Sequence, residues 1–207
     1  TDEQKRIQLY IDIFFVNGIA FLHTKSKLLN FITISKLTNR KTKTILKVLR
    51  PVITKYLTRG FSITDVYGDN EFDGDDYKTI ILPARMQICS KGEHVPVIER
   101  SIRTIKERCP SKCHGLLYKK YPKLMVTGLL EHVELWLNAF PSQHSKYSVG
   151  PSTIVVGVSP RDLMNPDFLF RSYVMVFIGT KNDMTAKSVP TIVLHEKNNF
   201  GGFLNIP

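Results

Sequence analysis

The stretch IQLYIDIFFVNGIAFLHT, residues 7–24, decides the fold. Its first half, Ile7 to Val16, is largely apolar on both faces of a strand, a pattern typical of the centre of a sheet. Asn17-Gly18 strongly favours a tight hairpin turn, so the residues after it predict a returning strand. An ionised carboxylate in such a strand is costly unless a cation or hydrogen-bond donors meet it. Asp12 is therefore the first candidate functional residue.

The segments after the hairpin continue with alternating strands and helices. Leu28 to Ile34 predicts a third strand, which makes the start of the chain an antiparallel meander. From Asn39, a suitable helix N-cap, apolar residues at helical spacing predict a helix that Pro51 should kink or split. The later segments predict a strand in FSITDVYGD, a short helix in DYKTIIL, a short strand in RMQICS, and helices over residues 95–108 and about 121–140.

This element order is that of a ribonuclease-H-like domain, an α/β fold in which helices flank a mixed five-stranded sheet. After Pro141 the composition changes to Gly, Pro, Ser and short β-prone runs. We therefore expect a core over residues 1–145, followed by a linker and a small β-rich segment over residues 146–207.

The charge balance indicates a polyanionic partner. The 207 residues contain 29 Lys and Arg against 18 Asp and Glu, a net charge of +11. Nucleic acid is favoured over an anionic membrane surface, because neutralised phosphates release counterions. No apolar run is long enough to span a bilayer, and the odd number of cysteines favours a reducing, intracellular compartment. Cys109, Cys113 and His114 lack a second ligand pair, so free thiols are favoured over a zinc site.

Three carboxylates stand in different predicted elements. Asp12 lies in the first strand, Asp69 at the end of the fourth, and Glu99 near the start of the helix after the fifth. In the ribonuclease-H arrangement the first and fourth strands are neighbours, so these side chains could converge. Carboxylate oxygens suit Mg²⁺ or Mn²⁺, and two such ions about 3.5–4 Å apart can drive phosphodiester chemistry.

Each position also has a simpler interpretation. Asp65 is an alternative second carboxylate, nearer the middle of its strand. Asp69 begins a segment that resembles a calcium loop, but Ile80 occupies the place of the terminal glutamate. Glu99 could merely form an ion pair with Arg103, one turn along the helix.

Three sequence blocks resemble a known family. YIDIFFVNGIAFLHTKS, YGDNEFD and EHVPVIERSIRTIKER resemble the catalytic blocks of the integrase domain of Ty1/copia-type retrotransposon polyproteins, which are Asp-Asp-Glu polynucleotidyl transferases. The later WLNAFP and VSPRDLM are similar to segments that follow the core there, and the resemblance covers roughly residues 8–165. It implies that Asp12, Asp69 and Glu99 are the catalytic and metal-binding residues.

The resemblance also implies a function. The family cleaves and joins DNA with Mg²⁺ or Mn²⁺, so the expected partners are element ends, target DNA and further copies of the chain. The expected location is the nucleus, reached through a cytoplasmic virus-like particle. Only residues 70–98 separate Asp69 from Glu99, a shorter gap than is usual, and DNEF lacks a frequent glycine. A catalytically inactive DNA-binding or assembly remnant, or a ribonuclease-H-like nuclease, is therefore the alternative.

Basic side chains supply candidate DNA contacts. From Lys36 to Arg59 eight basic residues occur without an acidic one, among them Arg40, Lys43 and Lys47. Such a run is either a solvated helix face or a phosphate-binding surface. Arg103 and Lys106 follow Glu99 along one helix face, so a DNA backbone that enters the predicted metal site would pass them. His23 and Trp136 are more typical of structural positions.

Overall fold

The fold was analysed in a computed structural model of the chain. It describes residues 5–89, 96–113, 121–143, 145–159, 170, 172–177, 187–197 and 202–206. No described helix is long and apolar enough to cross a membrane.

A mixed five-stranded sheet forms the centre of the molecule. Its strands are β1 (Arg6–Val16), β2 (Ile19–Ser26), β3 (Ile32–Lys36), β4 (Ser62–Gly68) and β5 (Arg85–Ile88). The strand order is β3-β2-β1-β4-β5, with β2 antiparallel to both β1 and β3, and with β4 parallel to both β1 and β5. This arrangement confirms the predicted sheet and makes β1 its central strand.

The first hairpin has the turn that its sequence predicts. Asn17 and Gly18 both have positive φ values, 49° and 75°, as a two-residue hairpin turn requires. The turn pins the register in which Asp12 lies opposite His23. The predicted start of the third strand at Leu28 is wrong, because the chain turns at Asn30, with φ 55°, and β3 begins only at Ile32.

Helices cover both faces of the sheet. They are α1 (Thr42–Leu57), α2 (Asp75–Ile81), α3 (Pro96–Cys113), α4 (Lys123–Ala139) and α5 (Pro151–Val155). Pro51 was expected to kink or split the first of these helices, and the split does not occur, since α1 runs through Pro51 as one element. Leu49 and Val52, on either side of Pro51, are both buried in the same core, and this packing holds the two halves together.

The sheet separates the hydrophobic interior into two cores, one on each face, and β1 contributes side chains to both. Ile7, Leu9 and Ile11 point into the core that α1 covers. Phe14 points into the other core, with Ile105 of α3 and residues of α4. Because side chains alternate along a strand, Asp12 lies on the same face as Phe14 and therefore faces α3.

The C-terminal part of the chain forms a second, smaller sheet. Its antiparallel strands are β6 (Tyr173–Phe177), β7 (Ser188–Lys197) and β8 (Gly202–Ile206). Leu194 of β7 packs on Gly128 of α4, where an added Cβ would lie 2.8 Å from the Leu194 Cβ. Val155 of α5 is buried in the core that α1 covers. The predicted division between residues 145 and 146 stays a prediction.

Candidate active site

Two of the three carboxylates lie at the same level of two neighbouring strands, where β4 ends. In the parallel pairing of β1 and β4, Tyr10 lies opposite Tyr67, and their rings stack 4.9 Å apart. Asp12 and Asp69 each follow by two positions, so the two neighbouring strands bring them to the same level. Asp69 then begins a short 3₁₀-helix, where its Oδ1 accepts a hydrogen bond from the Glu71 N–H at 3.0 Å.

The third carboxylate approaches from α3. Glu99 is exposed in the first turn of this helix, and it lines an open cleft of about 760 Å³ together with Asp12. Arg103, Lys106 and Glu107 line the same cleft. The Lys106 Nζ also lies 5.9 Å from the centre of the Phe14 ring. The cleft therefore brings two basic side chains beside three carboxylates, those of Asp12, Glu99 and Glu107.

His23 holds α3 against the sheet. Its Nδ1 lies 3.0 Å from the Thr33 carbonyl oxygen, and its Nε2 lies 2.9 Å from the Ser101 Oγ. Complete burial lowers the pKa of His23 to about 4, so the ring is neutral near pH 7. Nδ1–H then donates to the carbonyl, and Nε2 accepts from the serine hydroxyl. This contact fixes α3 two residues from Glu99, and it gives His23 the structural role expected from the sequence.

Asp12 is held in a partly buried, negatively charged setting. The Ile13 N–H donates a hydrogen bond of 2.7 Å to its Oδ1. Burial raises the pKa of Asp12 to about 6, against the opposing effect of that bond, and the charges of Asp69, Glu99 and Glu71 add to the rise. The charges of three other carboxylates thus act on Asp12.

Glu71 is the member of this group that sequence reasoning missed as a site residue. The Arg40 guanidinium binds both of its carboxylate oxygens, with 2.7 Å between Nε and Oε1. Arg40 also lies over the Phe15 ring, 5.7 Å from its centre. The predicted DNA contact of Arg40 would therefore compete with this ion pair, whereas Lys43 and Lys47 are exposed on α1.

Asp65, the alternative second carboxylate, has a structural partner. It is buried, and its Oδ1 accepts from the Nη2 and Nε of Arg85 at 3.0 and 3.1 Å. An ion pair across β4 and β5 therefore accounts for its charge. Among the cysteines of the alternative zinc site, Cys109 is buried in the second core, whereas the Cys113 side chain and His114 lie outside the described residues.

The donor chemistry of this group suits a hard divalent cation. Asp12, Asp69 and Glu99 offer carboxylate oxygens, which Mg²⁺ and Mn²⁺ prefer. Within the described ranges, no three His, Cys, Asp or Glu side chains are arranged so that they could hold a metal ion. Asp69 and Glu99 are exposed, so a change of side-chain rotamer could bring them toward Asp12. Metal binding therefore requires side-chain movement.

The raised pKa of Asp12 should make the protein less stable at higher pH. The folded protein holds this proton more tightly than the unfolded chain does, so stability falls as the pH rises from about 4 to about 6. In divalent-free buffer, Asp12→Asn should raise the free energy of unfolding by about 1–2 kcal/mol at pH 8, after allowance for solvent screening. At pH 4 the gain should nearly vanish. Urea denaturation at both pH values measures the difference. Glu107→Gln, an exposed change in the same cleft, should show no such pH dependence.

No protein-family model matches the chain, and no curated protein sequence matches it. Among solved structures, it resembles the catalytic core domain of BIV integrase with a TM-score of 0.53 and 12% sequence identity. The likeness covers 72% of this chain and 93% of that core. At this identity the likeness shows the fold alone. The chain therefore has the ribonuclease-H-like fold that it shares with this integrase core.

Proposed function

We propose that the chain is the core of a retrotransposon integrase, a metal-dependent enzyme that cleaves DNA and transfers the cut strand to a target. The observation that carries the proposal is the placement of Asp12 and Asp69 at the same level of two neighbouring strands, with Glu99 of α3 lining the same cleft as Asp12. A fold that is shared with a retroviral integrase core supports it. The net charge of +11 supports a DNA partner.

In this proposal Asp12, Asp69 and Glu99 hold divalent cations, Mg²⁺ or Mn²⁺. When bound, the cations activate the attacking oxygen and stabilise the leaving oxygen of a phosphodiester. Burial and, to a smaller extent, the neighbouring carboxylates raise the pKa of Asp12 to about 6, so Asp12 is mostly ionised near pH 7 and a bound cation would offset the cost of its buried charge. His23 keeps Glu99 in place through Ser101. Arg103 and Lys106 hold the DNA backbone beside the carboxylates.

The partners and the location belong to the same proposal. An integrase joins element ends to target DNA, so both DNAs enter the open cleft, and copies of the chain assemble around the ends. This joining of element ends to target DNA takes place in the nucleus. Lys43 and Lys47 on α1 extend the DNA surface beyond the cleft, and Arg40 joins it if DNA displaces its ion pair with Glu71.

The second candidate function is a DNA-binding or assembly module without turnover. The specific observation in its favour is that no three of the described His, Cys, Asp or Glu side chains are arranged to hold a metal ion. The short gap between Asp69 and Glu99 favours it as well, because fewer residues are available to position α3. Both candidates require the basic surface, but only the enzyme requires the carboxylates.

A matched pair of variants tests the proposed function. Glu99→Gln should reduce the Mg²⁺-dependent joining of a DNA end to a target by more than about 100-fold, since the loss of a metal ligand exceeds the loss of its supporting contacts. Glu107→Gln removes the same charge from the same cleft and should change the rate by less than about threefold. A gel-based strand-transfer assay measures both. Equal losses of strand-transfer rate in the two variants would mean that the rate depends on the total charge of the cleft. Glu99 would then hold no metal.

DNA binding should depend steeply on salt. Phosphate contacts release counterions, so the affinity for duplex DNA should fall as the salt concentration rises. Arg103→Ala combined with Lys106→Ala should make the slope of log affinity against log salt shallower by roughly two. Fluorescence anisotropy with a labelled duplex measures this slope. If the double variant keeps the slope of the wild type, the Glu99 face of α3 does not contact DNA.

A further inference from the structure

A second cavity lies on the other side of α3 from the carboxylates. It has a volume of about 660 Å³ and is bounded by β2, β3, α3, the end of α4 and the segment after α4. This volume is within the range of about 300–1,000 Å³ that is usual for small-molecule sites. Arg100, Thr104 and Arg108 line it at successive turns of α3, whereas Glu99 and Arg103 face the first cleft. One helix therefore separates two cavities.

The charged side chains described around this second cavity are all basic. Lys25, Arg100 and Arg108 line it, and none of its described lining residues is acidic. Lys25 is half-buried, and both this burial and the nearby Arg100 charge lower its pKa. In the described part of the chain, neither Lys25 nor Arg100 forms an ion pair. Because Lys25 is half-buried beside the charge of Arg100, an anion between the two would offset their repulsion, so the cavity suits a negatively charged ligand.

Two stacked aromatic side chains, called the aromatic column below, lie beside these basic side chains. The rings of Trp136 and Phe140 stack at 5.5 Å with 12° between their planes, and both line the cavity. Phe140 is 40% exposed, so a flat ligand could extend the column. Aromatic side chains beside a basic groove are what proteins use to bind single-stranded nucleic acid, because every base has a flat face that can stack. The cavity thus places basic side chains beside an exposed aromatic ring.

We infer that this cavity binds a nucleotide unit of single-stranded nucleic acid, with the phosphate at Lys25, Arg100 and Arg108 and the base on Phe140. This site goes beyond the proposed function, since it lies outside the carboxylate cleft and needs no metal. An acidic peptide would meet the same cations, but the stacked column favours a base. A strand bound in this cavity would lie on the side of α3 opposite the carboxylate cleft. It would therefore not occupy the carboxylate cleft.

Trp136 reports directly on this site, because it is the single tryptophan of the chain. In EDTA and low salt, pentathymidylate should quench its fluorescence in a saturable way, and thymidine without phosphate should bind at least tenfold more weakly. Arg100→Ala combined with Arg108→Ala should weaken binding roughly tenfold or more. Phe140→Ala should weaken it about fivefold or more. Lys5→Ala combined with Arg6→Ala, which removes the same two positive charges from exposed positions at the start of β1, should leave it within about twofold.

Several results would overturn the inference. One is the absence of saturable quenching by pentathymidylate. A second is equal weakening by the Lys5 and Arg6 pair and by the Arg100 and Arg108 pair, which would indicate non-specific charge. A third is loss of quenching in Arg103→Ala with Lys106→Ala but not in the Arg100 and Arg108 pair, which would place the strand in the other cleft. Displacement by an acidic peptide of equal charge at lower concentration would assign the cavity to peptides.

Photo-crosslinking gives an independent readout of the same site. An oligonucleotide that ends in 5-iododeoxyuridine should crosslink to Phe140 or Trp136, as mass spectrometry of the peptides would show. A crosslink confined to residues of the carboxylate cleft would contradict the inference. Because both measurements are made without divalent ions, a negative result here leaves the strand-transfer proposal untouched, and an inactive enzyme would leave this site untouched.

Discussion

Asp12→Asn should abolish Mg²⁺-dependent strand transfer while leaving the affinity for duplex DNA intact or slightly higher. The asparagine keeps the shape of the side chain but removes its charge, so it can no longer act as a full carboxylate ligand. Removal of contacts that merely support metal ligands costs about 10- to 100-fold, so the loss here should exceed about 100-fold. Affinity should not fall, because backbone binding depends on the basic side chains and the variant removes a repelling negative charge.

A strand-transfer assay and an anisotropy titration, run on the same preparations with Mg²⁺ or Mn²⁺, measure the two effects. Equal and nonzero activity in the wild type and the variant would refute a metal role for Asp12. If neither protein joins DNA but both bind it, the scaffold function is favoured, and the short segment between Asp69 and Glu99 becomes the first feature to lengthen. Asp65→Asn is unsuitable as a control, because it would break the buried ion pair with Arg85.

Gly68→Ala should destabilise the protein by about 1–3 kcal/mol, which is the usual cost of overpacking. An added Cβ at this position would lie 2.8 Å from the Phe72 Cδ2 and 3.1 Å from the Ile11 Cγ1. Both neighbours are buried in the core that α1 covers, so neither can move away freely. Gly68 directly precedes Asp69, and Ile11 directly precedes Asp12. The strain should therefore also change the spacing of the two carboxylates.

Gly74→Ala is the matched control for this substitution. Its added Cβ would have no contact closer than 3.5 Å, which is ordinary van der Waals distance. Thermal and urea unfolding should show a larger loss of stability for Gly68→Ala than for Gly74→Ala, whose cost is limited to that of alanine at the N-cap of α2. If the two variants unfold alike, the close packing at the end of β4 does not constrain the position of Asp69.

Much of the architecture could be predicted because its signals are local. The segment from Ile7 to Val16 is apolar on both faces, which indicated a strand at the centre of a sheet. Strand β1 occupies that central position. Asn17-Gly18 indicated a two-residue turn, and the positive φ values of both residues confirm it. The errors were also local. Residues 27–29 form a turn and Asn30 has a positive φ, so the apolar run from Leu28 does not begin the strand, and core packing keeps α1 continuous through Pro51.

The candidate site could be predicted only in part. A charged residue in an apolar strand is a visible anomaly, so Asp12 could be identified from its neighbours. The residues alone left Asp65 open as an alternative to Asp69. Only the structure shows that Asp65 forms an ion pair with Arg85 on the adjacent strand. Glu71 and Arg40 were not recognisable as a pair, because 31 positions separate them in the chain.

The sequence alone therefore determined the central strand, the hairpin register and the residues that are chemically able to bind metal. Periodicity, turn chemistry and residue type act over a few neighbouring positions, so they can be read without a fold. Only the tertiary structure decided how α3 stands over the sheet, since His23 and Ser101 are 78 positions apart. It also decided that the same helix separates a carboxylate cleft from a basic and aromatic cavity. Which side chains line each cavity depends on packing between distant elements, and no local pattern encodes that packing.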